Sequence, residues 1–307
     1  MSEAAIEARD LTKTFKGGVV AVNGLDLTAP RGVVYGLIGR NGAGKTTTLR
    51  MLMGLLRANR GTARVLGADL WTADRAARAR VAYVGQEQTI YGWLTCEELC
   101  HLGGRFYERW DTARARRLAE RFDVPTDRPV GALSGGQRRK VAILLALASR
   151  AEVLILDEPA GGLDPIARRQ LVDEIIDLAA AGDGTTVLFS THIITDLERV
   201  AEMVAIMDRG RIMAETRLDE MQSTTRRVQV IFAGDGPPAG FAVPGAVRTQ
   251  TAGPVVTAIV RITSDAQLDE VRAIPGARVN VFDLGLEEAF IELLGPEAAG
   301  EFGETMS

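Results

Sequence analysis

Residues 33–46 read Val33-Val34-Tyr35-Gly36-Leu37-Ile38-Gly39-Arg40-Asn41-Gly42-Ala43-Gly44-Lys45-Thr46. The apolar run Val33–Ile38 has the length and composition of a buried strand, and a helical pattern, Thr46–Leu56, follows the glycines. Between them Gly39, Gly44, Lys45 and Thr46 fit the spacing G-x-x-x-x-G-K-[ST]. Glycines let the backbone wrap close to phosphate oxygens, and a helix N-terminus offers unpaired N–H groups with a favourable dipole. Lys45 is placed to reach the outer phosphates of a polyphosphate, and the Thr46 hydroxyl to ligate a divalent cation. Gly39, Asn41, Gly42, Ala43, Gly44, Lys45, Thr46 and Thr47 are therefore the candidate phosphate-binding residues. A chance glycine-rich turn would lack the strand before it and the helix after it.

Outward from this loop the same alternation continues. Strands are expected at Val81–Val84, Val153–Leu156, Thr186–Phe189 and Val204–Met207, each a short aliphatic run bounded by Gly, Asp or Pro. Helices are expected at Cys96–Tyr107, Thr112–Phe122, Gly135–Ser149 and Pro165–Ala180. Strands alternating with helices of this length predict an α/β fold with a mostly parallel sheet covered on both faces.

Val153-Leu154-Ile155-Leu156-Asp157-Glu158 has four consecutive aliphatic residues, the mark of a central strand, and ends in two acids. Both emerge at the carboxyl edge of the sheet, beside the phosphate loop. Neighbours on a strand face opposite ways, so the pair is expected to divide its work. Asp157 suits the shell of Mg²⁺, and Glu158 suits accepting a proton from an attacking water.

After Met221 the composition shifts. Thr224-Thr225-Arg226-Arg227 leads into a strand at Val228–Phe232, followed by a Gly/Pro-rich stretch, Gly234 to Gly245. Further strands are expected at Val255–Ile262 and Val279–Phe282, with helices at Leu268–Ile274 and Leu286–Leu294. This is a separate α/β unit, residues 222–307, whose acidic end from Gly300 is expected to be disordered.

The 307 residues carry a net charge of −4, which argues against a broad surface for nucleic acid. Runs such as Arg114-Ala115-Arg116-Arg117 read as the solvated face of a helix. No stretch approaches the ~20 apolar residues of a membrane-spanning helix. The N-terminal residues lack the basic and apolar regions of a signal peptide, so the chain is expected to stay in the cytoplasm unless something holds it at a membrane. Cys96 and Cys100 are the only cysteines, too few for a closed metal site, and read as reduced thiols.

Leu133-Ser134-Gly135-Gly136-Gln137, opening the helix before the carboxylate strand, resembles the signature of ABC ATPases. The resemblance implies a P-loop cassette over residues 1–221, with a helical subdomain at about 87–150, that binds and hydrolyses ATP with Mg²⁺. It implies that Ser134, Gly135, Gly136 and Gln137 cap the γ-phosphate held by an opposite subunit, so that two cassettes, identical or paralogous, form the working dimer. Gln86 resembles the Q-loop glutamine, which contacts Mg²⁺ and water; Leu163-Asp164 resembles the D-loop; His192 resembles the switch histidine. Phe15 occupies the position of the aromatic on which adenine stacks. Ala160-Gly161 departs from the more usual residues after the acids and touches nothing catalytic.

Phe106-Tyr107-Glu108-Arg109-Trp110-Asp111, the segment Ser190–Val200 and the ending Leu286-Glu287-Glu288-Ala289-Phe290-Ile291-Glu292-Leu293 resemble bacterial type-2 exporter ATPases tied to drug, bacteriocin or envelope-stress responses. The last is equally an amphipathic helix that only packs. Such a subunit sits on the cytoplasmic face of the membrane against a separate polytopic permease. Tyr91-Gly92-Trp93-Leu94 offers aromatic anchors for that docking, or else packs the helical subdomain. Three other readings stay open: an importer with the same motifs, a soluble ABC ATPase acting on DNA or ribosomes, and a regulator of a resistance response uncoupled from transport.

Overall fold

A computed structural model describes residues 4–87, 90–234, 236–262 and 264–285. The chain forms two compact units, one through Glu215 and one from Thr216.

The first unit is built on a six-stranded sheet. Its strands are β3 (Val34–Ile38), β5 (Val81–Val84), β6 (Val153–Asp157), β7 (Thr186–Thr191), β8 (Met203–Asp208) and β9 (Arg211–Arg217), in the order β5-β6-β7-β3-β8-β9. The pairs β5–β6, β6–β7, β7–β3 and β3–β8 are all parallel. Every residue of β3, β6 and β7 is buried, which explains why their apolar residues run on without alternating: a strand covered on both faces has no solvent side. The expected mostly parallel α/β architecture is thus observed.

A second, three-stranded antiparallel sheet, β2-β1-β4, comprises β1 (Ala4–Thr14), β2 (Val20–Pro30) and β4 (Arg60–Val65). Sequence reading did not anticipate it. These strands are half-polar, and the β1–β2 register shifts four times, so neither a continuous apolar run nor a clean two-residue period survives. Asp10 and Gly61 both take positive φ, and a Cβ on Gly61 would lie 2.3 Å from the Asp10 carbonyl oxygen. Only glycine fits there.

The helices of this unit are α1 (Lys45–Leu52), α2 (Arg75–Arg78), α3 (Cys96–Phe106), α4 (Thr112–Arg121), α5 (Gly135–Ala148), α6 (Pro165–Ala180) and α7 (Ile194–Leu197). Helix α1 stops four residues short of the expected end at Leu56. Gly54 adopts φ +64° against the Leu70 carbonyl, a left-handed break that a periodicity argument cannot see. Helices α3 and α5 begin with reciprocal capping boxes, Thr95 with Glu98 and Ser134 with Gln137. No helix among the described residues is long and apolar enough to cross a membrane.

The second unit contains α8 (Leu218–Thr224), β10 (Thr225–Phe232), β11 (Ala246–Ala252), β12 (Val255–Arg261), α9 (Asp265–Arg272) and β13 (Ala277–Asp283). Its sheet is antiparallel in the order β11-β12-β10-β13. Val228, Val230, Val256, Val260 and Val271 form its core. Helix α9 begins three residues before the expected Leu268, because Ser264 caps it by accepting from the Gln267 N–H. The expected helix Leu286–Leu294 and the acidic end from Gly300 lie outside the described residues.

Ile155 sits fully buried in the middle of β6. Ile155→Ala should lower unfolding free energy by about 2–5 kcal/mol in a denaturant titration. A change below about 1 kcal/mol would mean that β6 is not the packed centre of the sheet.

Candidate nucleotide site

Lys45, Asp157, Glu158 and His192 gather where β3, β6 and β7 end. The loop 39–44 runs from β3 to α1 with Gly42 at φ +81° and Gly44 at φ +107°. A Cβ at Gly44 would meet the Ala21 carbonyl at 2.3 Å, and one at Gly39 would meet the Met207 carbonyl at 2.5 Å. The loop is therefore pressed against β2 and β8 with no room for a side chain at Gly39 or Gly44. A Cβ at Gly42 would meet nothing within 4 Å, so the loop's other side is open. Gly44 caps α1 without a side-chain hydrogen bond, which leaves the first N–H groups of the helix to an incoming acceptor. This cradle fits a phosphate chain.

Lys45 is 4% exposed. Its Nζ donates to the Gly39 carbonyl at 2.6 Å and the Arg40 carbonyl at 3.2 Å, tying the loop into a ring, and stands 3.1 Å from Glu158 Oε1. His192 Nδ1 is 3.1 Å from the other Glu158 oxygen. Glu158 therefore joins Lys45, from the loop, to His192, from the turn after β7. The contact with His192, reinforced by the Lys45 charge and opposed by burial, holds the Glu158 carboxyl down at about 2.

Asp157 is fully buried as the last residue of β6. Ser190 Oγ donates to its Oδ1 at 2.8 Å, and the Tyr83 hydroxyl lies 3.5 Å from its Oδ2. Burial and the nearby Asp157 charge push the Tyr83 hydroxyl up to about 12. The acids were expected to alternate along one extended strand. Instead β6 ends at Asp157, and Glu158 turns into the left-handed region at φ +46°. The Glu158 N–H is gripped by the Ser190 carbonyl at 3.0 Å and by Ser190 Oγ at 3.1 Å, which holds a non-glycine residue in that conformation.

Gln86 lies in the exposed turn after β5 and lines a cleft of about 500 Å³ together with Gly135, Arg139, Glu158, Gly161 and Gly162. Thr46 and Thr47 occupy the first turn of α1, half-buried, and Asn41 is exposed on the loop, while Ala43 is buried beneath it. Ser134 and Gly135 are exposed at the start of α5. The Ser134 Oγ accepts from the Gln137 N–H while Gln137 Oε1 accepts from the Ser134 N–H, so both side chains also build the helix cap. The N–H groups of Gly135 and Gly136 open that helix, with a Cβ at Gly136 only 3.0 Å from the Gly162 carbonyl. Asp164 caps α6 by accepting from the Ala167 N–H and pairs with Lys140 at 3.2 Å. Phe15 follows β1 in a turn and is 43% exposed, with Lys13 Nζ 5.5 Å from its ring centre. It is not the core residue that a strand phenylalanine would ordinarily be.

Sequence reading missed Arg139 and Ser190. Arg139 is buried and donates to the carbonyls of Gly85 and Gln86. Ser190 could have been suspected from its position at the edge where Asp157 ends its own strand, since β6 and β7 pair Asp157 with Ser190.

Because Glu158 titrates far below the usual carboxylate range when folded, its contribution to stability is complete above about pH 4.5 and is lost as pH falls toward 2. Denaturant titrations from pH 5 to pH 3 should show wild type losing more stability than Glu158→Gln. Equal losses would mean that the contacts with His192 and Lys45 do not form in solution.

Comparison with known proteins agrees with this geometry. Residues 22–161 match the ABC transporter family. The chain is 41% identical to the daunorubicin/doxorubicin resistance ATP-binding protein of Streptomyces peucetius over 72% of this chain and 67% of that protein. It is 32% identical to the Nod factor export ATP-binding protein I of Ralstonia nicotianae over 92% and 91%. A solved ATP-binding subunit of an ABC transporter superposes with a TM-score of 0.64 at 30% identity, covering 71% of this chain and 92% of that one. A dimeric cassette in a post-hydrolysis state with ADP and Pi has a TM-score of 0.62 at 23% identity, covering 69% and 98%, and shares the fold. With its phosphate loop, paired acids and LSGGQ helix, the chain belongs to the ABC transporter family as an ATP-binding, ATP-hydrolysing subunit.

Proposed function

We propose that this chain drives export through a separate polytopic membrane permease, working as a dimer of cassettes on the cytoplasmic face of the membrane. The observation that carries the hydrolytic core of the reading is the contact of one carboxylate, Glu158, with both Lys45 of the phosphate loop and His192. That junction places a cation for phosphate, a proton acceptor and a histidine within hydrogen-bond reach of one another. The cassette is assigned to residues 1–221, with the helical subdomain at about 87–150 and an accessory unit at 222–307.

In this reading the loop from Gly39 to Thr47 binds the triphosphate through backbone N–H groups and Lys45, and Phe15 stacks on adenine. Thr46, Gln86 and Asp157 are the oxygen donors for Mg²⁺. Each of these carries a hard oxygen donor, the kind Mg²⁺ takes alongside phosphate oxygens. Bound there, Mg²⁺ would neutralise charge on the phosphates. Glu158 orients the attacking water and accepts its proton, and His192 holds that carboxylate from the other side. When phosphates draw Lys45 away, Glu158 loses the lysine charge that helps to depress it and becomes a better proton acceptor. The exposed start of α5, with Ser134, Gly135, Gly136 and Gln137, caps the γ-phosphate on the opposite cassette, and Asp164 lies at that interface.

The exposed rings of Tyr91 and Trp93, 53% and 74% accessible and 5.1 Å apart, are the anchors proposed for the permease. Export is favoured over import by the relatives, whose names attach to drug resistance and Nod factor export. The cargo follows from the permease.

Glu158→Gln should keep ATP binding, lose turnover by at least about 100-fold and accumulate as an ATP-held dimer in size-exclusion chromatography. Turnover within a few-fold of wild type would remove Glu158 from its role. Purification of the full chain from gently solubilised native membranes should bring down a stoichiometric polytopic protein. Recovery alone, or with ribosomes or DNA, would leave the ATPase standing and overturn the transport assignment.

A further inference from the structure

We infer that Arg139 is a positioning residue: it locks the turn after β5 to the helix that opens at Ser134, and so sets where Gln86 stands in the cleft beside Glu158. Arg139 lies on α5 and is 7% exposed. Its Nη1 donates to the Gly85 carbonyl and its Nη2 to the Gln86 carbonyl, each at 2.9 Å. Successive carbonyls of an extended chain point opposite ways, so a single guanidinium reaches both only where the chain turns. The rigid fork therefore fixes the turn's shape as well as its position.

A buried cation is costly unless its surroundings compensate. Burial pulls the Arg139 pKa down, and the carboxylates of Asp157 and Glu158 act in the opposite sense. The guanidinium is thus held by two main-chain carbonyls on one side and by the field of the two acids at the end of β6 on the other. Both neighbours in sequence reach elsewhere. Arg138 donates to the Leu133 carbonyl at 2.8 Å, and Lys140 pairs with Asp164 at 3.2 Å. Arg139 alone of the three is buried, and it lines the cleft with Gln86, Glu158 and Gly161.

The consequence is a direct mechanical tie. Gln86 and Glu87 are exposed and belong to no regular element, so α5 supplies through Arg139 the register that secondary structure does not. Any displacement of α5 moves the Gln86 peptide, and any force on that turn is felt at Ser134, five residues before Arg139 on the same helix.

The inference rests on the proposed reading of Gln86 as a group that contacts bound nucleotide and Mg²⁺. The test compares the full-length chain with Arg139→Lys, Arg139→Gln and Gln86→Ala by steady-state ATPase kinetics and hydrogen–deuterium exchange. Lysine keeps the charge and the buried stem but cannot donate to both carbonyls in a fork, so it should not rescue. Both Arg139 variants should lose about ten-fold or more in kcat with KM for ATP within about two-fold, because the phosphate loop is untouched. The peptide carrying Gly85-Gln86-Glu87 should exchange faster, while those of β3 and β6 stay as protected as in wild type. Unchanged exchange at that peptide, full rescue by lysine, or kcat within about two-fold of wild type in Arg139→Gln would each overturn the inference. So would collapse of both variants, or a joint shift of kcat, KM and core exchange, since either makes Arg139 a stabiliser of the whole unit. Full turnover in Gln86→Ala would instead sink the reading of Gln86, whatever the exchange data say about the tie.

Discussion

Three charges stand buried at the carboxyl edge of an otherwise apolar sheet, and the site is organised around keeping each compensated. Lys45, Asp157 and Arg139 are all less than a tenth exposed. An isolated ion in such surroundings would neutralise or unfold the region, so every one needs a partner of fixed geometry. Lys45 takes two loop carbonyls and Glu158; Asp157 takes Ser190; Arg139 takes the carbonyls of Gly85 and Gln86. Apart from the loop carbonyls of Lys45, these partners come from elements far apart in sequence, and the parallel sheet brings them to one edge. The aliphatic strands are therefore a functional requirement as well as a core: they supply the low dielectric in which the charges act strongly on one another.

Much of this was legible from residues alone, for physical reasons that differ by element. The phosphate loop is local: its glycines, lysine and threonine act within one turn, so spacing specifies the geometry. The central strands are legible because burial on both faces leaves their middles apolar, with polar residues only toward the ends. The antiparallel sheet of β1, β2 and β4 was not legible, since its bulges break the period that would have marked it. The end of α1 was misplaced for a similar reason: Gly54 packs against Leu70, a contact made only in the folded chain.

At the site, the limit of sequence reading was backbone conformation and long-range pairing. Asp157-Glu158 reads as a strand end with alternating side chains. The turn at Glu158 depends on Ser190, 32 residues later, holding its N–H. Arg139 in Arg138-Arg139-Lys140 has the pattern of a solvated helical face, and nothing local distinguishes the one arginine whose target is the turn after β5.

The pairing of Lys45 with Glu158 also bears on order of events. A cation held by its own loop carbonyls and by the carboxylate assigned to water has no need of nucleotide to be stable. It must exchange partners when phosphates arrive. Phosphate oxygens carry more charge than one carboxylate and come with the free N–H groups at the start of α1, so the exchange favours the nucleotide. Glu158 is then left with His192 and with the Ser190 grip on its backbone, which keeps the carboxylate in place while its field weakens. The left-handed turn thus preserves the position of the acid through a change in its electrostatic partner. An extended residue at 158 would follow the strand instead and present its carboxylate to the face opposite that of Asp157.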